Sequence, residues 1–148
     1  MTLHKPPVFV DVVEEHFDEL DFLLELREAN LFDTDWTLPD LAAHEERMEA
    51  HLDGLRIAEL HGVDLAAENI DQGEVFAAAA STLVLHESGE SEHREIILET
   101  LQAGDGAVVE GIRLGLRQCD PEPYREVLDR LLGSGNPARV GAAADVLA

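Results

Sequence analysis

Seven histidines and one cysteine are the side chains of this chain with the widest chemical repertoire. Histidine binds transition metals and carries protons near neutral pH, so metal sites and acid–base catalysis are the first chemistries to consider. Residues 44–48 read HEERM and begin like the zinc motif HExxH, but Met48 stands where the second histidine is required. Residues 90–93 read ESEH, the Glu-x-x-His spacing of di-iron bundles, yet those sites need two such motifs. Neither pattern is complete, so we expect no metal site and no cofactor.

His44 and His51 lie two turns apart on the apolar stripe of a segment that is predicted to be helical. A neutral imidazole on such a face is commonly a buried group whose ring nitrogens are hydrogen-bonded. We therefore expect both side chains to be structural, bonded to backbone carbonyls or to an acid of the first helix. A pH-sensitive contact is the alternative that this placement leaves open.

Cys119 is the only cysteine, so it cannot form an intrachain disulfide, which fits a reducing compartment. A catalytic cysteine needs a nearby base and a lowered pKa, but no histidine follows His93. The glycines of the second half form neither a GxGxxG nor a P-loop pattern. The sequence thus predicts no catalytic or cofactor-binding residue and no enzymatic activity. Tight helix packing explains these glycines better: Gly111, Gly115, Gly133, Gly135 and Gly141.

The chain is strongly acidic, with a formal net charge of −22 over 148 residues. Residues 1–72 hold 19 acidic and 4 basic residues, so the acidity is concentrated in the first half. Such a surface repels nucleic acid and anionic membranes and can attract basic proteins, although a solvated acidic face explains the same charge. No apolar run approaches the roughly 20 residues of a membrane span, and the N-terminus lacks a signal-peptide pattern. We therefore expect a cytoplasmic protein without nucleic-acid or membrane partners.

Apolar residues recur with the helical period along the chain, and no segment alternates like a strand. His61-Gly62 is predicted to end the second helix, followed by only a short helical turn or loop over 64–70. The predicted helices are 8–30, 37–60, 72–87, 92–103, 106–118, 121–132 and 137–148. Their predicted N-caps are Thr37, Asp71 (in a capping-box-like pair with Glu74), Ser91, Asp105, Asp120 and Asn136.

Three of these helices repeat one another. Residues 74–83, 107–116 and 138–147 align with offsets of 33 and 31 residues, and the helices between them align as well. Two helices per repeat of this length are typical of an α-solenoid. We predict an all-α fold with an acidic helical hairpin over 1–70 and about two and a half repeats over 71–148, packed as one continuous domain. The aligned columns are Phe76/Val109/Val140, Ala79/Ile112/Ala143 and Leu83/Leu116/Leu147.

The repeats from residue 71 to the end resemble HEAT-like repeats. The first half is similar to an uncharacterised proteobacterial HEAT-repeat family, through ERMEAHLDGLR at 46–56, VVEEH at 12–16 and FLLELR at 22–27. The resemblance implies an N-terminal helical hairpin followed by HEAT-like repeats, as in a short or truncated member. Members are often encoded near type VI secretion genes, which implies an accessory or adaptor role there. The resemblance supplies no catalytic residues.

The last predicted helix, 137–148, has no following partner helix to cover it. Its stripe is mostly alanine, whereas terminal repeats usually carry a polar outer face. The chain is therefore either the front piece of a longer array or ends in a docking surface, most simply for a homodimer. We expect a non-enzymatic protein-interaction scaffold or adaptor, with a structural subunit of a larger assembly or a metal-binding helical protein as alternatives. The predicted contact residues are Val140, Ala143, Ala144 and Leu147.

Overall fold

A computed structural model describes residues 7–148, and every regular element in that range is helical, which confirms the all-α prediction. Residues 1–6 of the predicted hairpin lie outside the described range. The helices are α1 (Val10–Asn30), α2 (Leu38–Ile57), α3 (Leu60–Asn69), α4 (Val75–Glu87), α5 (Ser91–Ala103), α6 (Gly106–Leu116), α7 (Arg125–Leu132) and α8 (Pro137–Leu147).

Helix α1 buries the stripe that its sequence period predicts. Val13, Phe17, Leu20 and Leu24 are spaced four, three and four residues apart, and all are buried. The stripe packs against α2 and α3 and also reaches α4. The hairpin and the second half therefore share one hydrophobic core.

Three predicted helix caps are confirmed. Thr37 Oγ1 accepts from the backbone N–H of Asp40 at 3.3 Å while the Asp40 carboxylate accepts from the N–H of Thr37 at 3.0 Å, a complete capping box. Asp105 caps α6, and Asn136 caps α8 just before Pro137. Each cap satisfies backbone donors that the first turn leaves unpaired.

The predicted end of the second helix at His61-Gly62 is wrong. Helix α2 ends at Ile57, and α3 starts at Leu60 and is ten residues long, where only a turn or loop over 64–70 was predicted. The chain turns at Glu59, which has a φ of 52°. A Cβ on Gly62 would lie 2.3 Å from the Leu55 carbonyl oxygen. This glycine therefore permits close approach of α3 to α2 rather than ending a helix.

Three other predicted helix starts are also corrected. Asp71 and Glu74 form no capping box: Glu74 precedes α4 without a side-chain cap. Ser91 is the first residue of α5 rather than its N-cap. Asp120 does not start a continuous helix at 121; its carboxylate accepts from the N–H of Glu122 at 3.0 Å and begins a 3-10 turn over Glu122–Tyr124.

Helix α4 lies at the centre of the molecule. All nine of its residues from 77 to 85 are buried. It packs against α1 and α3 on the hairpin side and against α6 on the other, and α6 in turn packs against α8. The aligned column Ala79, Ile112 and Ala143 has no exposed surface in any of the three helices. The three residues of this one aligned column therefore all lie in the core, whereas Phe76, Val140 and Leu147 of the other two columns are only partly buried.

Candidate functional site

An apolar groove of about 480 Å³ opens between the start of α1 and the end of α2. One wall is formed by Phe9, the residue before α1, and Val12 of α1; the other is formed by Ile57, the last residue of α2, and the following Ala58. Phe9 is 64% exposed, Val12 45% and Ile57 77%, whereas Ala58 is buried. Large apolar side chains that share an exposed surface are characteristic of binding sites. We refer to this surface as the α1–α2 groove.

The local sequence explains how the groove forms. Val12 and His16 lie one turn apart on one face of α1, and Phe9 immediately precedes the helix. Gly54 faces them from α2, and a Cβ there would lie 2.6 Å from the His16 ring. His16 therefore fills the base of the groove because Gly54 has no side chain.

His16 is joined to His51 by a contact between their Nδ1 atoms at 3.1 Å. The two rings meet edge to face, with centroids 5.3 Å apart. One Nδ1 must donate and the other accept, so at least one ring is neutral in this arrangement. The predicted partner of His51, a carbonyl or an acid of the first helix, is therefore wrong, because the partner is a second histidine. The pair links α1 to α2 at the edge of the groove.

The pKa of His51 lies below its ordinary value, chiefly because of partial burial and also because of the nearby His16 and Arg47. Glu19 and Glu15 act in the opposite direction and raise it. The partners come from α1 except Arg47, which lies on α2 itself. Protonating both rings would place two positive charges side by side. The geometry therefore makes this junction between the two helices sensitive to acid.

We expect the stability of the protein to fall as the pH drops below about 6.5, the ordinary histidine pKa. Below that pH the unfolded chain binds a proton at His51 before the folded chain does, so stability is lost down to the lower folded pKa. Urea unfolding at a series of pH values should show a shallower pH dependence for His51→Asn.

The control for this prediction is His61→Asn. His61 is exposed on α3, so removing it should leave the pH dependence close to that of the unmodified protein. Equal slopes for His51→Asn and His61→Asn would contradict the prediction.

His44 is structural, as predicted. It is buried on α2, and its Nε2 donates to the Leu23 carbonyl oxygen on α1 at 2.7 Å. The Trp36 ring covers it, with centroids 5.2 Å apart. This hydrogen bond joins α2 to α1, and the buried His44 side chain is not available to a ligand.

The remaining candidate side chains are engaged in local contacts. Ser88 Oγ donates to the Leu85 carbonyl oxygen and accepts from His93 Nδ1 at 2.6 Å. His93, the histidine of residues 90–93, therefore stabilises the connection between α4 and α5. Cys119 Sγ lies 3.4 Å from the Gly115 carbonyl oxygen, and burial raises the pKa of its thiol to about 12. A thiol with that pKa stays protonated at neutral pH and is a poor nucleophile. Within residues 7–148, no three potential metal ligands converge to hold an ion.

The predicted contact residues of α8 differ in exposure. Ala143 is buried against the rest of the chain, whereas Val140 and Leu147 are half-buried and Ala144 is exposed. Arg113 of α6 bonds the Asp145 carboxylate and so holds α8 against α6. Contact with another molecule would therefore fall to Ala144 and the accessible parts of Val140 and Leu147.

Sequence reasoning missed His16 and the α1–α2 groove. The signal for His16 was present, because it lies three residues from Val13 and four from Leu20 on the edge of the buried stripe. The groove had no comparable signal, since its two walls are about 45 residues apart in the chain.

Comparison with protein families, with curated proteins and with solved structures found no match to this chain. Across residues 7–148, no helix combines the length and the apolar character needed to cross a bilayer.

Proposed function

We propose that this protein is a non-enzymatic interaction module, a scaffold or adaptor that binds another protein through its acidic hairpin. The observation that carries the proposal is the α1–α2 groove, where Phe9, Val12 and Ile57 expose apolar side chains within the most acidic half of the chain. Exposing such side chains to water is unfavourable unless a partner covers them. Binding is therefore the function that best accounts for their position.

The packing of the second half supports a HEAT-like array as the framework of this module. Helices α4, α6 and α8 pack successively, while α5 and α7 intervene in the chain. The aligned column at Ala79, Ile112 and Ala143 is buried at each step. Arrays of this kind present extended surfaces to partners. The resemblance to a family encoded near type VI secretion genes extends the proposal to an accessory role in that system.

Purification of the affinity-tagged chain from cells of its source tests the proposal. We expect the chain to elute from a sizing column in a complex heavier than its own 16.2 kDa and to bring down the same protein reproducibly. A fixed stoichiometry would favour a structural subunit, and exchange with added untagged chain would favour an adaptor. Elution as a lone 16.2 kDa species without a bound protein would contradict the proposal.

A further inference from the structure

We propose that the α1–α2 groove binds a basic amphipathic helix of a partner protein. This inference rests on the proposed interaction function and adds the chemistry of the partner. The occupant is helical, apolar on one side and positively charged on its other side.

The apolar side of the occupant follows from the groove walls. Phe9 and Val12 face Ile57 across about 480 Å³, a volume within the range of sites that take side chains or small ligands. Among residues 7–148, the lining contains one acidic residue, Glu59, and one histidine, His16, which already contacts His51. The groove therefore offers few hydrogen-bond partners and selects for buried aliphatic or aromatic anchors.

The helical form of the occupant follows from its backbone. An extended peptide commonly pairs its N–H and C=O groups with a strand edge, and residues 7–148 contain no strand. A polyproline helix docks in a groove lined by several aromatic rings, and the described lining of this groove has one aromatic ring besides histidine, that of Phe9. An α-helix satisfies its own backbone and presents anchors three and four residues apart. It is the peptide form that this groove can bury without unpaired backbone groups.

The positive charge of the occupant follows from the groove margins. Asp11 and Glu15 are exposed one turn apart on α1, next to Val12. Arg56, the basic residue adjacent to Ile57, is paired with Asp53, so its charge is already compensated. These margins belong to a half-chain of net charge −15, which attracts cations from a distance. Lysines and arginines flanking the apolar anchors would lie against this acidic margin.

The test uses three fluorescein-labelled peptides of about 15 residues. The first has leucines at positions i, i+3, i+4 and i+7 of a helix and lysines elsewhere. The second has the same composition in scrambled order, which removes the apolar stripe and keeps the charge. The third keeps the stripe and replaces lysine by glutamate. Fluorescence anisotropy should show binding of the first peptide at least about tenfold tighter than binding of the other two.

Matched variants at the two ends of α2 locate the binding site. Ile57 and Leu38 are both exposed aliphatic residues, at 77% and 82%, and only Ile57 lines the groove. Ile57→Gln should weaken binding of the first peptide about tenfold, whereas Leu38→Gln should change it less than about twofold. Circular dichroism should show the same helix content for both variants, because neither side chain is buried. Glu15→Gln should weaken binding chiefly at low salt, where charges are least screened.

Equal affinity for the scrambled peptide, no binding of the first peptide, or an unchanged affinity in Ile57→Gln would each overturn the inference. A dimer of the unmodified chain that Ile57→Gln dissociates would also overturn it, by assigning the groove to a second copy. If the peptides fail while the tagged chain still recovers its protein from cells, the occupant is wrong and the interaction function stands. If no protein is recovered from cells, the proposed function itself is wrong.

Discussion

Tyr124→Ala is expected to lower the free energy of unfolding by about 3–5 kcal/mol, the range for removing a large buried ring. Tyr124 ends the 3-10 turn before α7 and has no exposed surface. Its hydroxyl is hydrogen-bonded to His86 Nδ1 on α4 at 2.7 Å, so the side chain ties the later helices to the central one. The substitution removes both the buried ring and this bond. Chemical denaturation followed by circular dichroism measures the change.

Tyr124→Phe is the matched control because it keeps the ring and removes only the hydroxyl. We expect a loss of about 1 kcal/mol, the usual net value of one hydrogen bond. A loss of similar size in both variants would mean that the bond to His86, not the buried ring, carries the stabilisation. A loss below about 2 kcal/mol for Tyr124→Ala would mean that the surrounding helices collapse into the space.

The helices were predictable because their signal is local. The structure has side-chain N-caps at Thr37, Asp105 and Asn136. Each could be recognised in the sequence as a capping residue that precedes an apolar periodic segment. Ala79, Ile112 and Ala143, which the repeat alignment put in one column, are all buried. Periodicity encodes which face of a helix is buried, and that was sufficient for the fold class.

The errors came from residues whose role depends on a distant neighbour. In the sequence, Gly62 resembles a glycine that ends a helix, but it lies inside α3. Glycine is needed there because the Leu55 carbonyl oxygen leaves no room for a side chain. Gly135, by contrast, has a φ of 71° and an open side, so it serves a turn and not the tight packing that was predicted. A glycine in a sequence does not reveal which of these two reasons applies.

The candidate site was the least predictable part. His51 was recognised as an unusual group on an apolar stripe, but its partner His16 is 35 residues away on another helix. Likewise, Phe9 and Ile57 are ordinary apolar residues in the sequence, and only the packing of α1 on α2 leaves them exposed side by side. Exposure of apolar surface is a tertiary property that no local pattern encodes.

Gly111→Ala is expected to destabilise the protein by about 2 kcal/mol, even though alanine is the better helix former by about 1 kcal/mol. A Cβ on Gly111 in α6 would lie 2.2 Å from the Val75 carbonyl oxygen and 2.6 Å from Ala78 Cβ on α4. Both obstacles are backbone or attached directly to it, so they cannot rotate away. The two helices would have to separate along the contact between α4 and α6, two helices of the proposed array. Urea unfolding measures the cost.

Gly141→Ala supplies the opposite expectation in the same fold. Gly141 lies in α8, and a Cβ there would meet no atom within 4 Å. The substitution should therefore raise the free energy of unfolding by about 0.5–1 kcal/mol, because it lowers the entropy of the unfolded chain without a steric cost. Destabilisation by Gly111→Ala together with stabilisation by Gly141→Ala would establish that a glycine is needed only where α4 and α6 approach closely, and not at every glycine of these helices. Stabilisation by both substitutions would mean that α6 can move away from α4 at little cost, and that this contact is looser than its geometry implies.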